Sequence, residues 1–410
     1  MAKYLLFFGF FIALQSCSDD SDKPEPQPNI SNPQFYIFER NGESSVDFSG
    51  QTTRILMAEE LVSASKNFNS SESGLLEMYR NESVSGGDVD PFQDADLNAS
   101  TKSIRSKVAA SNDLFSSNSS ESLEIKDFME SLFFQLEVEI YPNENQIAAP
   151  GQAGQLADGI STRYVSPAGL EYDQLLNKSL IGALMVDQVL NNYLSPEVLD
   201  QNSNREDNSN KVLSDGKNHT QMEHFWDEAY GYLYGTSANS ANPNASIGED
   251  DNFLNKYIGR VDSDEDFVGI AHRIFEAFKL GRAAILANDY KLRDEQIAIL
   301  RSEISNVIAI RAVHYMQQGK KALPADRNNY SAYGSAFHDL SEGYGFLYSL
   351  RFTRNADGEV LFSREEVDNL ISKLLSDGSN GFWDVKTETL DEISESISSK
   401  FNFTLAQAAE

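Results

Sequence analysis

An apolar residue that returns about every 3.6 positions over most of this chain commits it to helices. From Gln51 to Phe68 the pattern is carried by Ile55, Leu56, Ala58, Leu61 and Val62, and from Ser122 to Val138 by Leu123, Phe128, Leu132, Phe133 and Leu136. Leu170 to Leu194 is the longest strongly apolar stretch and is closed by Pro196. Further helices are predicted over Asp264 to Asn288, where a cluster of acids suits a helix N-terminus, and over Arg293 to Gln318, Tyr333 to Phe352, Ser363 to Ser376 and Leu390 to Phe401. Between them, Ser83 to Asn98, Ala148 to Gly159, Pro196 to Asn218, Thr236 to Asp251 and Thr353 to Gly358 are rich in Gly, Asn, Ser, Asp and Pro and read as loops. No alternating run is long enough to force a sheet. The expectation is an all-α helical bundle of about ten helices with long polar loops.

Within that pattern one segment recurs. His224-Phe-Trp-Asp-Glu228-Ala-Tyr230-Gly231-Tyr232-Leu233-Tyr234 is matched by His338-Asp-Leu-Ser-Glu342-Gly-Tyr344-Gly345-Phe346-Leu347-Tyr348, and each copy follows a long helix. This reads as an internal duplication, with related helical units at about 170–235 and 293–352.

In each copy His and Glu are four apart, on one helix face, with a glycine on the same stripe that lets another helix approach. If the two units pack about a pseudo-twofold axis, His224, Glu228, His338 and Glu342 meet as two imidazoles and two carboxylates, a ligand set suited to iron or zinc. The spacing recurs at His219/Glu223 and at His272/Glu276, so four of the five histidines carry it, where chance gives roughly half a pair. The plainer reading is an i,i+4 contact that stabilises a helix by ~0.2–0.5 kcal/mol. His272 and Glu276 are secondary candidates, and His314, flanked by Val313 and Tyr315, reads as a packed core histidine.

The start of the chain has Lys3, an apolar run from Tyr4 to Ala13, and then Leu14-Gln15-Ser16-Cys17. A charged flank, a short apolar core and a small residue before the cut are the layout of an export signal, and about ten apolar residues are too few to span a membrane. Leu-Gln-Ser-Cys resembles the lipobox of bacterial lipoproteins, which implies cleavage after residue 16 and acylation of Cys17. Cys17 is also the chain's one cysteine, so no internal disulfide is available and burial alone must hold the fold. Residues 17–32, acidic and then proline-spaced, read as a flexible tether, leaving 33–410 as the helical domain. The acidic run after Cys17 resembles a surface-export signal. The expected place is therefore the outer membrane, lipid-anchored and facing the cell exterior, with a periplasm-facing position as the alternative.

With 33 basic against 63 acidic residues and a formal charge of -30, nucleic acid and anionic lipid headgroups are poor partners. No His-Glu-x-x-His, Gly-x-Ser-x-Gly, phosphate loop or dinucleotide fingerprint is present, and no catalytic residue is assigned. His219 and His224 are five apart, which rotates them away from each other. The acids Asp88, Asp90, Asp94 and Asp96 lack the glycine and distal glutamate of a calcium loop.

The phrases Ser49-Gly-Gln-Thr-Thr-Arg-Ile-Leu-Met-Ala-Glu-Glu60, Arg163-Tyr-Val-Ser-Pro-Ala-Gly-Leu-Glu-Tyr172, Met222-Glu-His-Phe-Trp-Asp-Glu-Ala-Tyr-Gly231 and Lys279-Leu-Gly-Arg-Ala-Ala284 resemble a bacterial lipoprotein family named for domain of unknown function 4856. In setting and helical character that family is similar to the imelysin-like lipoproteins, which are linked to iron uptake and carry Gly-x-His-x-x-Glu. The His-x3-Glu spacing here departs from that motif. The expected function is ligand binding at the envelope, with iron, another metal or a metal chelate as ligand and the membrane and an outer-membrane receptor as partners. The alternatives are a structural or interaction module and an imelysin-like metallopeptidase.

Overall fold

The computed structural model describes residues 30–115 and 119–410. The expected signal at 1–16, Cys17 and nearly all of the tether lie outside the described residues. A hairpin of β1 (Glu39–Arg40) and β2 (Glu43–Ser44) leads into α1 (Ser49–Ser65), α2 (Glu72–Arg80), α3 (Ala95–Asn98) and α4 (Ser120–Gln135). A second hairpin, β3 (Gly154–Asp158) with β4 (Ser161–Val165), precedes α5 (Tyr172–Leu180), α6 (Pro196–Leu199), α7 (Asn204–Ser209) and α8 (Gln221–Tyr234). Then come α9 (Leu254–Asp262), α10 (Ile270–Leu286), α11 (Tyr290–Ala322), α12 (Gly334–Ser349), α13 (Arg364–Leu375), α14 (Thr387–Ser398) and α15 (Leu405–Ala408). The fold is all-α, with only these two small antiparallel sheets of two strands among the described residues. No described helix is long and apolar enough to cross a membrane.

The axis of the molecule is α11, whose 33 residues give it a length of about 50 Å. Ile304, Val307, Ile308, Ile310 and Val313 bury it on several sides, so it is a core helix rather than a surface one. It packs against α10, α12 and α14, and α12 in turn packs against α5. Glycines set these distances. A Cβ on Gly281 of α10 would lie 2.1 Å from the Trp226 ring, and one on Gly345 of α12 would lie 2.4 Å from Lys178 Cβ. Both helices therefore approach their partners at a separation that only glycine permits.

The expected helix over Leu170 to Leu194 is present, but it changes its winding. After Leu180 the backbone widens into π turns at Ile181–Val186 and Val189–Tyr193. The cause at the first is a hydroxyl: Ser349 Oγ of α12 accepts from Gly182 N at 3.1 Å and lies 2.9 Å from the carbonyl of Lys178. Those two groups are an α-helical pair, and the serine has inserted between them.

Three expectations are corrected. Residues 154–165 form a hairpin where a loop to Gly159 and no sheet was expected, its turn opened by Gly159 at φ 56°. The helix expected from Asp264 begins at Ile270, because Gly269 takes φ 90° and it is Asp262, not the later acids, whose carboxylate accepts from Gly269 N (2.9 Å) and Ala271 N (3.0 Å). The nine-residue helices α2 and α9 were not anticipated.

At the N-terminal end of the described residues, the chain is fastened from Asn32 on. The Asn32 amide donates to the backbone oxygen (3.0 Å) and carboxylate (2.8 Å) of Glu276, and Tyr36 stacks on Tyr230 with ring centroids 3.6 Å apart.

Candidate metal centre

Helix α8 starts with a capping box, in which the Thr220 hydroxyl accepts from Glu223 N and the Glu223 carboxylate accepts from Thr220 N. Glu223 also accepts both nitrogens of Arg40 (2.7 and 3.0 Å) and faces Arg282 at 3.3 Å. It is thus committed to the helix start, and its expected partnership with His219 is replaced. Beneath it Arg282, fully buried, donates to Asp227 at 3.0 Å, and Asp227 also accepts from the Tyr36 hydroxyl at 2.6 Å. Burial pushes the Asp227 carboxyl up to about 6 against the pull of Arg282.

Because Thr220 is the cap, His219 precedes the helix and is free of its geometry. Its ring stacks on that of His224, with centroids 4.5 Å apart and planes 16° from parallel, where a shared helix would have turned them away. Asp47, in the segment leading into α1, completes a group: ligand atoms of Asp47, His219 and His224 all lie within 4.8 Å of one another. It is the one such group of three or more among the described residues.

Each member carries an atom of a kind that can ligate a cation. His219 Nδ1 lies 3.2 Å from the Thr220 carbonyl and His224 Nδ1 lies 3.1 Å from the Asp47 carbonyl. A carbonyl can only accept, so in the neutral form of each ring Nδ1 carries the proton and Nε2 keeps the lone pair. His219 is 3 % exposed, and its Nε2 is buried with no hydrogen-bond partner in the protein. Burial and the neighbouring His224 lower the pKa of His219, which keeps the ring neutral. Burial raises the Asp47 pKa, but hydrogen bonds from Lys217 and from Ser49 outweigh it and hold the carboxyl well below its ordinary range. Lys217 Nζ sits 3.0 Å from Asp47 Oδ2 on a half-exposed side chain. The two ring planes are nearly parallel, so their in-plane lone pairs do not converge and an ion shared by both requires one ring to swing. His224, with a quarter of its side chain exposed, has the room.

The four residues singled out from sequence do not gather into one set. His224 Nε2 faces Glu228 at 3.8 Å, and Glu228 is held by Gln51 of α1 at 2.8 Å. His338 Nε2 faces Glu342 at 4.0 Å, but this second pair belongs to a buried ion network: Glu342 meets Lys178 of α5 at 3.1 Å, and His338 Nδ1 meets Glu171 at 3.2 Å. Burial raises the Glu342 pKa, yet Lys178 and His338 bring it down to about 2. Glu171 goes the other way, pushed up to about 7 by burial. Of the secondary pair, His272 is largely exposed, and Glu276 is occupied by Asn32 and by Lys279 at 2.6 Å. His314 is half-buried, and burial drives its pKa down to about 3.

Sequence reasoning missed Asp47, which lies 177 positions before His224 and has no local signature. It also set His219 aside. The signal that would have kept His219 is Thr220-x-x-Glu223, a capping box that starts the helix one residue after it.

Among known proteins, the model of one family, described as Domain of unknown function (DUF4856), matches residues 33–404. No curated protein and no solved structure matches the chain.

Proposed function

The chain belongs to the family of domain of unknown function 4856, and since that name assigns no activity, we propose from the chain's own geometry that it binds a divalent transition-metal ion, iron or zinc, at Asp47, His219 and His224. In this reading it is a lipoprotein anchored through Cys17 to the outer membrane, facing outward, which captures metal at the envelope. The observation that carries the proposal is the buried, unpartnered Nε2 of His219 beside a second lone-pair imidazole and an ionised carboxylate. Leaving a buried polar atom unpaired costs about 1–3 kcal/mol, which a bound cation would recover. Two imidazoles and one carboxylate, with the remaining positions open, suit iron(II) and zinc.

For the second copy a structural role is favoured by one observation: Lys178, itself 3 % exposed, is paired with Glu342. There His338 and Glu342 tie α12 to α5.

A duplicated origin for the two segments is also part of the proposal. In support, Gly231 presses on Phe48 and Gln51 at the start of α1 as Gly345 presses on Lys178 of α5. Gln51 and Lys178 each reach the glutamate, and each His Nδ1 reaches the N-terminal end of that partner helix, at Asp47 and Glu171.

Metal analysis and calorimetric titration with zinc and with anaerobic iron(II) test the site. The expected result is one ion per chain for the unaltered protein and for His338→Ala, and loss of binding in His219→Ala and in His224→Ala. Absence of stoichiometric binding in the unaltered protein overturns the proposal.

A further inference from the structure

A cavity of about 210 Å³ lies between β4, the C-terminal end of α1, the residues that follow α4 and the start of α5. One side of it is apolar: Phe68, Ile140 and Tyr164 gather there, with the Phe68 and Tyr164 rings 4.6 Å apart and edge to face. The other side carries charge, and part of that charge is already matched. Glu171 is paired with His338 at 3.2 Å, and Arg163 with Asp158 at 2.7 Å.

Two charged groups of the lining are left without a counter-ion among the described residues. Lys66, exposed where α1 ends, has no side-chain hydrogen bond and no ion pair there. Asp173, half-buried in the first turn of α5, accepts from Gln174 Nε2 at Oδ2 (2.8 Å), while its Oδ1 has no partner and is not enclosed. The two do not pair with each other. A free cation and a free carboxylate, both open to solvent, thus border the same apolar floor.

Opposite charges held apart at one cavity select a ligand that carries both. A ligand with a single charge meets one counter-ion and one like charge, and a neutral ligand meets neither. The volume is below the ~300 Å³ at which drug-sized pockets begin, so the occupant is one small molecule. Lys66 ends a flexible stem of four carbons and follows a ligand carboxylate readily.

We infer that this cavity binds a free α-amino acid with an apolar side chain, its carboxylate at Lys66, its ammonium group at Asp173 Oδ1 and its side chain on Phe68 and Tyr164. The site is independent of metal, since Asp47, His219 and His224 do not line it.

Titration calorimetry and saturation-transfer NMR on the full chain test this, with L-leucine and L-phenylalanine as probes. The comparators lack one charge each: 3-methylbutylamine and 4-methylpentanoate for leucine, phenethylamine and 3-phenylpropanoate for phenylalanine. At least one amino acid binds saturably, and at least about tenfold tighter than either of its comparators. Lys66→Met and Asp173→Asn, both at positions outside the core, each weaken that binding at least about tenfold. In Lys66→Met the like charge is gone, so the amine binds as tightly as the amino acid. His219→Ala changes none of this. Saturable binding by neither amino acid, a comparator that binds the unaltered protein as tightly as its amino acid, or amino-acid binding indifferent to Lys66→Met or to Asp173→Asn overturns the inference.

Discussion

At the scale of single residues, the proposed metal centre is a contest between cations. Lys217 occupies Asp47 Oδ2 at 3.0 Å, and a metal ion must displace it. An exposed ion pair of this kind is worth about 0–1 kcal/mol, so the lysine is a weak competitor but a real one. Lys217→Met is therefore expected to tighten zinc binding, by up to about fivefold at low salt. Calorimetric titration reads this directly, and weaker binding in the variant would place the ion away from Asp47. The residues themselves show why the site was half legible. His224 announced itself through its repeat, and His219 was recoverable from the capping box that follows it. Asp47 reaches the site only through the packing of α1 against α8, a contact that no local pattern encodes.

Among elements, the sequence was readable wherever an apolar stripe ran for three turns or more, as in α1, α4, α11 and α12. It was silent where the element is short, as in α2 and α9, and where tertiary contact decides. The β3–β4 hairpin has no alternating pattern of its own: Gly154 lies against the backbone of Gln146 and Ala148, and Thr162, Arg163 and Tyr164 of β4 face residues at the start of α5. The π turn at Ile181 is likewise a tertiary event, caused by a serine 167 positions away. Ser349→Ala removes the hydroxyl that Gly182 N and the Lys178 carbonyl share, and is expected to destabilise the protein by about 1–3 kcal/mol in urea unfolding. Unchanged stability would mean that the helix rewinds into regular α geometry, and that the serine does not hold the wide turn.

For the whole molecule, the charge of -30 acts together with buried carboxyls. Burial raises Glu171 and Asp251 to about 7 and Asp187, Asp227 and Asp339 to about 6. A carboxyl raised on folding holds more protons in the native state, so its stabilising share is present at low pH and is lost as pH rises through the folded pKa. His338, raised by Glu171 against the opposing effect of burial, acts in the same direction. His314 and His219, lowered by burial, act oppositely, and Glu342, down at about 2, loses its share only in strong acid. The raised groups outnumber their opponents, and self-repulsion grows with pH as well. The melting temperature in the presence of a chelator is expected to be highest near about pH 5 and to fall towards about pH 8. A melting temperature that climbs over that interval would contradict this balance.

The claim on which the account turns is that metal is held by Asp47, His219 and His224, and not by the duplicated His/Glu pairs as such. X-ray absorption at the zinc edge of the loaded protein, repeated with His219→Ala, examines it most directly. The account predicts a first shell of two imidazole nitrogens and carboxylate or water oxygens in the unaltered protein, and no protein-bound zinc with that shell in the variant. A shell without imidazole, or one that His219→Ala leaves unchanged while His338→Ala alters it, would contradict it.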